Sequence, residues 1–216
     1  MNDVKPKRPY RSRRREEQAE STHNAVLDAA ERLFRDNGWT ATTIAAIARQ
    51  ADVSPETVYS RFGNKRAIVH QLLTRAMRGA DQKTPMMQQE QRADLLRMTD
   101  GRNILDAFCD DICGLLARAA PILAVVRSAA ENDAEMGELY ADLHASRRRN
   151  LGDLIAALER TRALRPGLDA ESATDTLWSI VSPELWSLRM DQLRTTPAAN
   201  SEWIRMTLRR LLLGQV

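Results

Sequence analysis

Two short stretches on either side of residues 51–53 constrain this chain more than any other part of it. With residues set at about 100° per step, Ile44, Ile47, Ala48 and Ala51 fall within a narrow arc, and Ala45, Ala46 and Arg49 face the other way. Thr42 and Thr43 offer hydroxyls able to cap a helix that starts there. The break at Ala51, Asp52 and Val53 is followed by Ser54, an N-cap residue, and by Pro55 at the first helical position, where an amide proton would have had no partner in any case. Val53 before the cap and Val58 at the fourth helical position have the spacing of a hydrophobic staple, which fixes how the chain enters the helix. Two short helices with a tight break between them form a helix-turn-helix pattern, in which the second helix is offered to the major groove of DNA.

The same spacing turns Val58 and Phe62 of the second helix inward and Glu56 and Ser60 outward, with Thr57 and Tyr59 flanking them. Apolar residues on the inner side and hydrogen-bonding groups on the outer side suit a helix that reads base edges. An ordinary surface helix shows the same alternation, so charge is the next discriminator. Residues 1–65 carry 12 basic and 9 acidic side chains, residues 66–216 carry 20 of each, and residues 1–15 hold seven basic residues against one acid, Asp3. The net charge of +3 therefore belongs wholly to the N-terminal third, as expected of a surface that meets nucleic acid.

The chain as a whole reads as all-α, with no strand pattern and no internal repeat. Residues 1–20, with Pro6, Pro9 and the run Arg11, Arg13, Arg14, Arg15, read as a flexible basic arm. A first helix is expected from Ser21 or Thr22, with Val26, Ala30, Leu33 and Phe34 on one face, ending at Asn37 with Gly38 as its cap. With the two short helices it makes a three-helix DNA-binding domain over residues 21–66. The rest, 67–216, reads as a second helical domain. Its expected parts are a helix from Asn64 to about Asp81 and a loop or loosely held helix across 82–100. Further helices are expected over 104–118, 121–132 and 134–161, one capped by Asp169, a restart at Ser182 and Pro183, and a last helix from about Asn200. In the last, Trp203, Ile204, Leu208, Leu211 and Leu212 share a side opposite Arg209 and Arg210.

The stretch from His23 to Leu73 resembles the DNA-binding domain of the TetR family of bacterial transcriptional regulators. The resemblance rests on Ala29, Ala30, Leu33, Phe34 and Gly38, then Thr43, Ile47 and Ala48, then Val53, Ser54, Thr57, Tyr59, Phe62 and Lys65. It implies that Thr43 and Ala45 on the first reading helix, and Pro55, Glu56, Thr57, Tyr59, Ser60 and Arg61 on the recognition helix, meet double-stranded operator DNA, with Tyr59 and Lys65 holding phosphates. Glu56 departs from the family's habit of a small residue there. A carboxylate facing a polyanion needs compensation, either a hydrogen bond from a cytosine amino group or an ion pair with Arg61. The resemblance further implies a homodimer joined through the two C-terminal helices, and a C-terminal domain that binds a small organic effector. Leu177, Trp178 and Trp186, with Trp203 on the following helix, fit that interface, because so large an apolar stripe exceeds what a chain of this size needs for itself; the alternative is burial in a monomeric core. Phe108, Cys109, Ile112, Leu116, Val126 and Tyr140 are the candidate effector contacts among the middle helices.

Other chemistry is sparse. The histidines His23, His70 and His144 join no cluster at metal-ligand spacing, and Cys109 and Cys113, one turn apart in an apolar segment, read as reduced core residues. There is no Gly-rich phosphate loop and no nucleophile elbow, so no catalysis, metal or cofactor is expected. The Arg147, Arg148, Arg149 triplet reads as a solvated face from which one arginine can turn inward. The longest apolar runs, 121–126 and 211–213, fall short of the roughly 20 residues that cross a bilayer. The basic N-terminus has no apolar stretch behind it, so a cytoplasmic protein without a membrane partner is expected. The leading expectation is a repressor whose dimer binds a palindromic operator until an effector changes the spacing of its recognition helices. The alternatives are an architectural protein held by its basic arm, or a helical carrier or enzyme with a vestigial DNA module.

Overall fold

The computed structural model describes residues 9–78 and 90–214. It is built from ten helices among the described residues: α1 (Pro9–Ala41), α2 (Ile44–Gln50), α3 (Pro55–Phe62), α4 (Lys65–Arg78), α5 (Glu90–Arg97), α6 (Gly101–Ala130), α7 (Ala134–Arg160), α8 (Ala170–Ile180), α9 (Pro183–Gln192) and α10 (Pro197–Leu212). No strand occurs among the described residues; one antiparallel bridge pairs Leu164 with Leu213. The chain divides into two compact units, Met1–Leu72 and Leu73–Val216.

In the first unit Val26, Ala30 and Phe34 of α1 are buried, as are Ile47 and Ala48 of α2 and Val58 and Phe62 of α3. The α1 helix is longer than its sequence suggests. It begins at Pro9, so residues 9–20 are helical and not a flexible arm; residues 1–8 lie outside the described residues. Between Tyr10 and Asn37 there is neither glycine nor proline, and Arg, Glu, Gln and Ala are strong helix formers. The hydroxyls of Ser21 and Thr22 therefore need not serve as caps. The helix breaks at Gly38, whose φ of 72° and ψ of −173° lie in a region open essentially to glycine alone. The buried Thr42 hydroxyl lies 2.7 Å from the carbonyl oxygen of Gly38 and 3.0 Å from that of Leu33, tying the break to the helix behind it. The turn after α2 uses a left-handed Asp52, φ 55°, a conformation that a short polar side chain tolerates.

The second unit is organised by α6, whose buried residues share one core cluster with those of α7, α8 and α10. It runs unbroken through Pro121, where two separate helices were expected. Proline removes one hydrogen bond, to the Ala117 carbonyl, and the burial of Leu115, Leu116, Ala119 and Ala120 before it and of Ile122, Val125 and Val126 after it offsets that loss. An apolar window in α6 is long enough to cross a membrane by length and composition, although half of it is buried against the rest of the unit. Ion pairs link α6 to α10, Asp106 with Arg209 and Asp110 with Arg205. Asp169, Ser182 and Thr196 each cap the helix that follows, and the last of these places the start of α10 at Pro197, ahead of the expected Asn200.

Candidate functional site

The helix-turn-helix is set by its caps. Thr43 Oγ1 accepts from the Ala46 amide at 3.1 Å, and Ser54 Oγ accepts from the Thr57 amide at 3.2 Å, so both helices start where their first free N–H groups find a partner. Across the turn the Val53 amide donates to the Ala48 carbonyl at 3.0 Å. His23 of α1 stacks on Phe62 at 4.9 Å and closes the end of α3 against α1. With Val58 and Phe62 held inside, Pro55, Glu56, Tyr59, Ser60 and Arg61 are exposed, and Thr57 is partly so; on α2, Thr43, Ala45 and Arg49 are exposed. Tyr59 is 55% exposed, a large amphipathic ring held in water with nothing to cover it. The Ser60 hydroxyl donates back to the Thr57 carbonyl at 3.0 Å.

Two of these residues carry surprises. Glu56 makes no ion pair with Arg61; its carboxylate sits in the first turn of α3, and hydrogen bonds from its own amide and from Ser54 hold its pKa below the usual value. The expected Arg61 partner is thus replaced by the helix N-terminus, which attracts negative charge. Lys65 is engaged within the chain. Its Nζ donates to the Trp39 carbonyl at 2.6 Å and to the Thr42 carbonyl at 2.9 Å, and it lies 4.0 Å from the centre of the Trp39 ring. It bolts the start of α4 to the segment that follows the Gly38 break, and the two carbonyls are oriented by that break.

The second unit contains a cavity of about 170 Å³ between α6 and α7, bounded also by Met77, Leu95, Leu96, Val181 and Pro183. Of the six candidate contacts, Phe108, Ile112 and Leu116 line it; Cys109, Val126 and Tyr140 do not. Cys109, one step of about 100° beyond Phe108, is wholly buried in the core cluster with α8 and α10, and Val126 is also wholly buried. The Tyr140 hydroxyl donates to Glu184 at 2.9 Å. The polar side of the cavity is His144, Ser146, Arg147 and Asn150 of α7; the sequence reading allowed one arginine of the triplet to turn inward without saying which, and missed the other three. The signal was present: Met136, Arg147, Leu151, Leu154 and Leu158 recur at helical spacing, four of the five are buried core residues, and a charged residue in that register faces inward.

No group of three or more metal-ligating side chains occurs among the described residues. The model of the family described as "Bacterial regulatory proteins, tetR family" matches residues 26–72, the segment that contains these caps and this exposed face. Residues 26–72 are a DNA-binding domain of the TetR family. Over 219 residues it is 28% identical to the HTH-type transcriptional regulator TtgR of Pseudomonas putida, covering 86% of this chain and 98% of that one. A probable regulator of Pseudomonas putida, ArpR, is 41% identical over 61 residues, 28% of this chain and 29% of its own. Among solved structures, NalD of Pseudomonas aeruginosa, described as the secondary repressor of the MexAB-OprM multidrug efflux pump, matches with a TM-score of 0.69 at 24% identity over 90% of this chain and 98% of that one. The chain is therefore a DNA-binding transcriptional regulator with the fold of that repressor.

Proposed function

We propose that the protein is a ligand-responsive repressor that binds a palindromic operator as a homodimer and is released when a small organic effector enters the α6–α7 cavity. The observation that carries this reading is the presence in one chain of a capped recognition helix with an exposed polar face and a mostly apolar cavity with a few polar groups, the usual make-up of a small-molecule site. Thr43, Ala45, Pro55, Glu56, Thr57, Tyr59, Ser60 and Arg61 are the proposed DNA contacts, with Tyr59 on a phosphate and Glu56 reading a cytosine amino group. Lys65 acts instead as the bolt that holds α4.

The α4 helix supports a route between effector and DNA. Its last turn carries Met77, which lines the cavity, and the Ala76 carbonyl, which accepts from Arg118 Nε at 3.1 Å; its first turn carries Lys65. A ligand that favours one position of this helix biases the recognition helix by its differential affinity for the two states. For the dimer, α9 exposes Leu188, the residue that caps its end, Leu193, is exposed too, and α10 exposes Met206, apolar groups that a second copy covers.

Sequencing of sites selected from random DNA, by the parent chain and by Glu56→Ala, tests the core of this reading. The expected outcome is a two-fold symmetric site from which the variant loses preference at one cytosine-containing position per half-site, a contact worth roughly 1–3 kcal/mol. Tighter binding to every sequence with an unchanged preference removes Glu56 as a reader. Failure to enrich any symmetric site refutes the operator reading as a whole.

A further inference from the structure

We propose that the α6–α7 cavity takes a small organic anion, a carboxylate on a single-ring or short-chain apolar body, with its charged end on the guanidinium of Arg147. This rests on the reading of the cavity as the effector site and names the class of ligand that fills it. Arg147 Nη1 donates to the carbonyl oxygens of Trp178 at 2.9 Å and Val181 at 3.3 Å, and the guanidinium lies 4.4 Å from the centre of the Trp178 ring. Those contacts use one edge of the group. The other edge, Nε and Nη2, is buried with no hydrogen-bond partner; the Glu184 carboxylate, 3.7 Å from His144 Nε2, favours the charged guanidinium from a distance without bonding to it. One turn earlier, His144 Nδ1 is likewise buried without a partner, and both residues line the cavity.

An arginine locked in this way presents two parallel N–H donors, the fork that a carboxylate fits with two hydrogen bonds. Leaving charged donors buried and unmet is unfavourable, and a ligand carboxylate meets both at once. Burial pulls the guanidinium down to about 10, so it stays charged at neutral pH. Burial, and next the nearby Arg147, hold the His144 imidazole below the ordinary histidine value, which keeps it neutral beside the fork. The acids nearby are otherwise occupied: Glu184 accepts from Tyr140, Asp111 has its own partner, and Asp153 is exposed to solvent. The remaining wall is apolar, with Phe108, Ile112, Leu116 and Leu154 among its residues. A cavity of about 170 Å³ suits a body of one ring, since an apolar cavity of roughly 150 Å³ accepts benzene.

Calorimetric titration of the full chain at pH 7 with two matched sets of probes tests this. The sets are 4-methylbenzoate, 4-methylbenzyl alcohol and 4-methylbenzylammonium, and octanoate, octanol and octylammonium. In at least one set the anion is expected to bind about 10- to 100-fold more tightly than its neutral counterpart. Arg147→Gln is expected to bring the anion down to the level of the alcohol while leaving the alcohol nearly unchanged, and Arg147→Lys to retain part of the difference. A neutral or cationic probe that binds as tightly as its anion overturns the anion assignment and leaves the cavity reading standing. Absence of binding by all six probes overturns the cavity as an effector site, and the assignment with it. If Arg147→Gln unfolds by circular dichroism, the ranking of the three charge types in the unaltered chain decides.

Discussion

Replacing Lys65 with methionine separates a structural bolt from a DNA contact. The substitution keeps an apolar stem of similar length and removes only the ammonium. In the native chain that ammonium donates to the Trp39 and Thr42 carbonyls at 2.6 Å and 2.9 Å and lies over the Trp39 ring, which in turn stacks on Phe34 at 5.8 Å. Hydrogen bonds involving a charged group are worth about 1.5–3 kcal/mol each, and a partly exposed cation–π contact about 0.5–1 kcal/mol. The three share one side chain, whose ordering offsets part of the gain, so they are not additive. A loss of about 2–4 kcal/mol is expected, falling on the first unit. Native-state hydrogen exchange at the amides of Ile47, Ala48, Val58 and Phe62 reads that unit directly, without assuming that the whole chain unfolds in one step. The expected result is faster exchange at these four amides, with those of α7 unaffected and with partial restoration by Lys65→Arg. The reasoning fails if their protection is unchanged while the slope of log affinity for DNA against log salt becomes shallower by about 0.9, the signature of one lost phosphate contact.

Leu177 and Leu188 are expected to behave oppositely. Leu177 is wholly buried and Leu188 is 56% exposed, so Leu177→Asp is expected to unfold the second unit, whereas Leu188→Glu leaves circular dichroism intact and shifts the chain toward monomer in sedimentation. A folded but monomeric Leu177→Asp reverses that assignment. Gly101→Ala puts a methyl group 2.0 Å from the Ala163 side chain; overpacking of this kind costs about 1–3 kcal/mol, seen as a lower urea midpoint, and an unchanged midpoint shows that the loop after α7 yields freely. Burial, followed by the neighbouring Cys113, pushes the Cys109 thiol up to about 12, so at pH 8 its alkylation is expected only as the second unit opens and to accelerate in urea in step with unfolding. Rapid labelling under native conditions contradicts the packing around it.

Local chemistry was enough to specify the helix-turn-helix. Thr43, Ser54 and Pro55 fix two helix starts, and Val58 and Phe62 set which face is buried, because caps and periodicity act over a few residues and do not depend on what packs beyond them. The caps at Asp169 and Ser182 were legible for the same reason. Where the sequence misled, a long-range partner decided the outcome. Leu177 and Trp186 look like surplus apolar surface available for a second chain, yet both are consumed by the core that α6 and α7 build with α8 and α10, and only packing shows how much surface a long central helix covers. Lys65 matches a family position in sequence but finds its carbonyls across the Gly38 break, 23 and 26 residues away. Arg147 belongs to a triplet of identical charges that composition cannot tell apart. The register of α7 turns it onto the buried stripe and leaves Arg148 and Arg149 in solvent, so which cation faces the cavity was decided by helix packing and not by residue type.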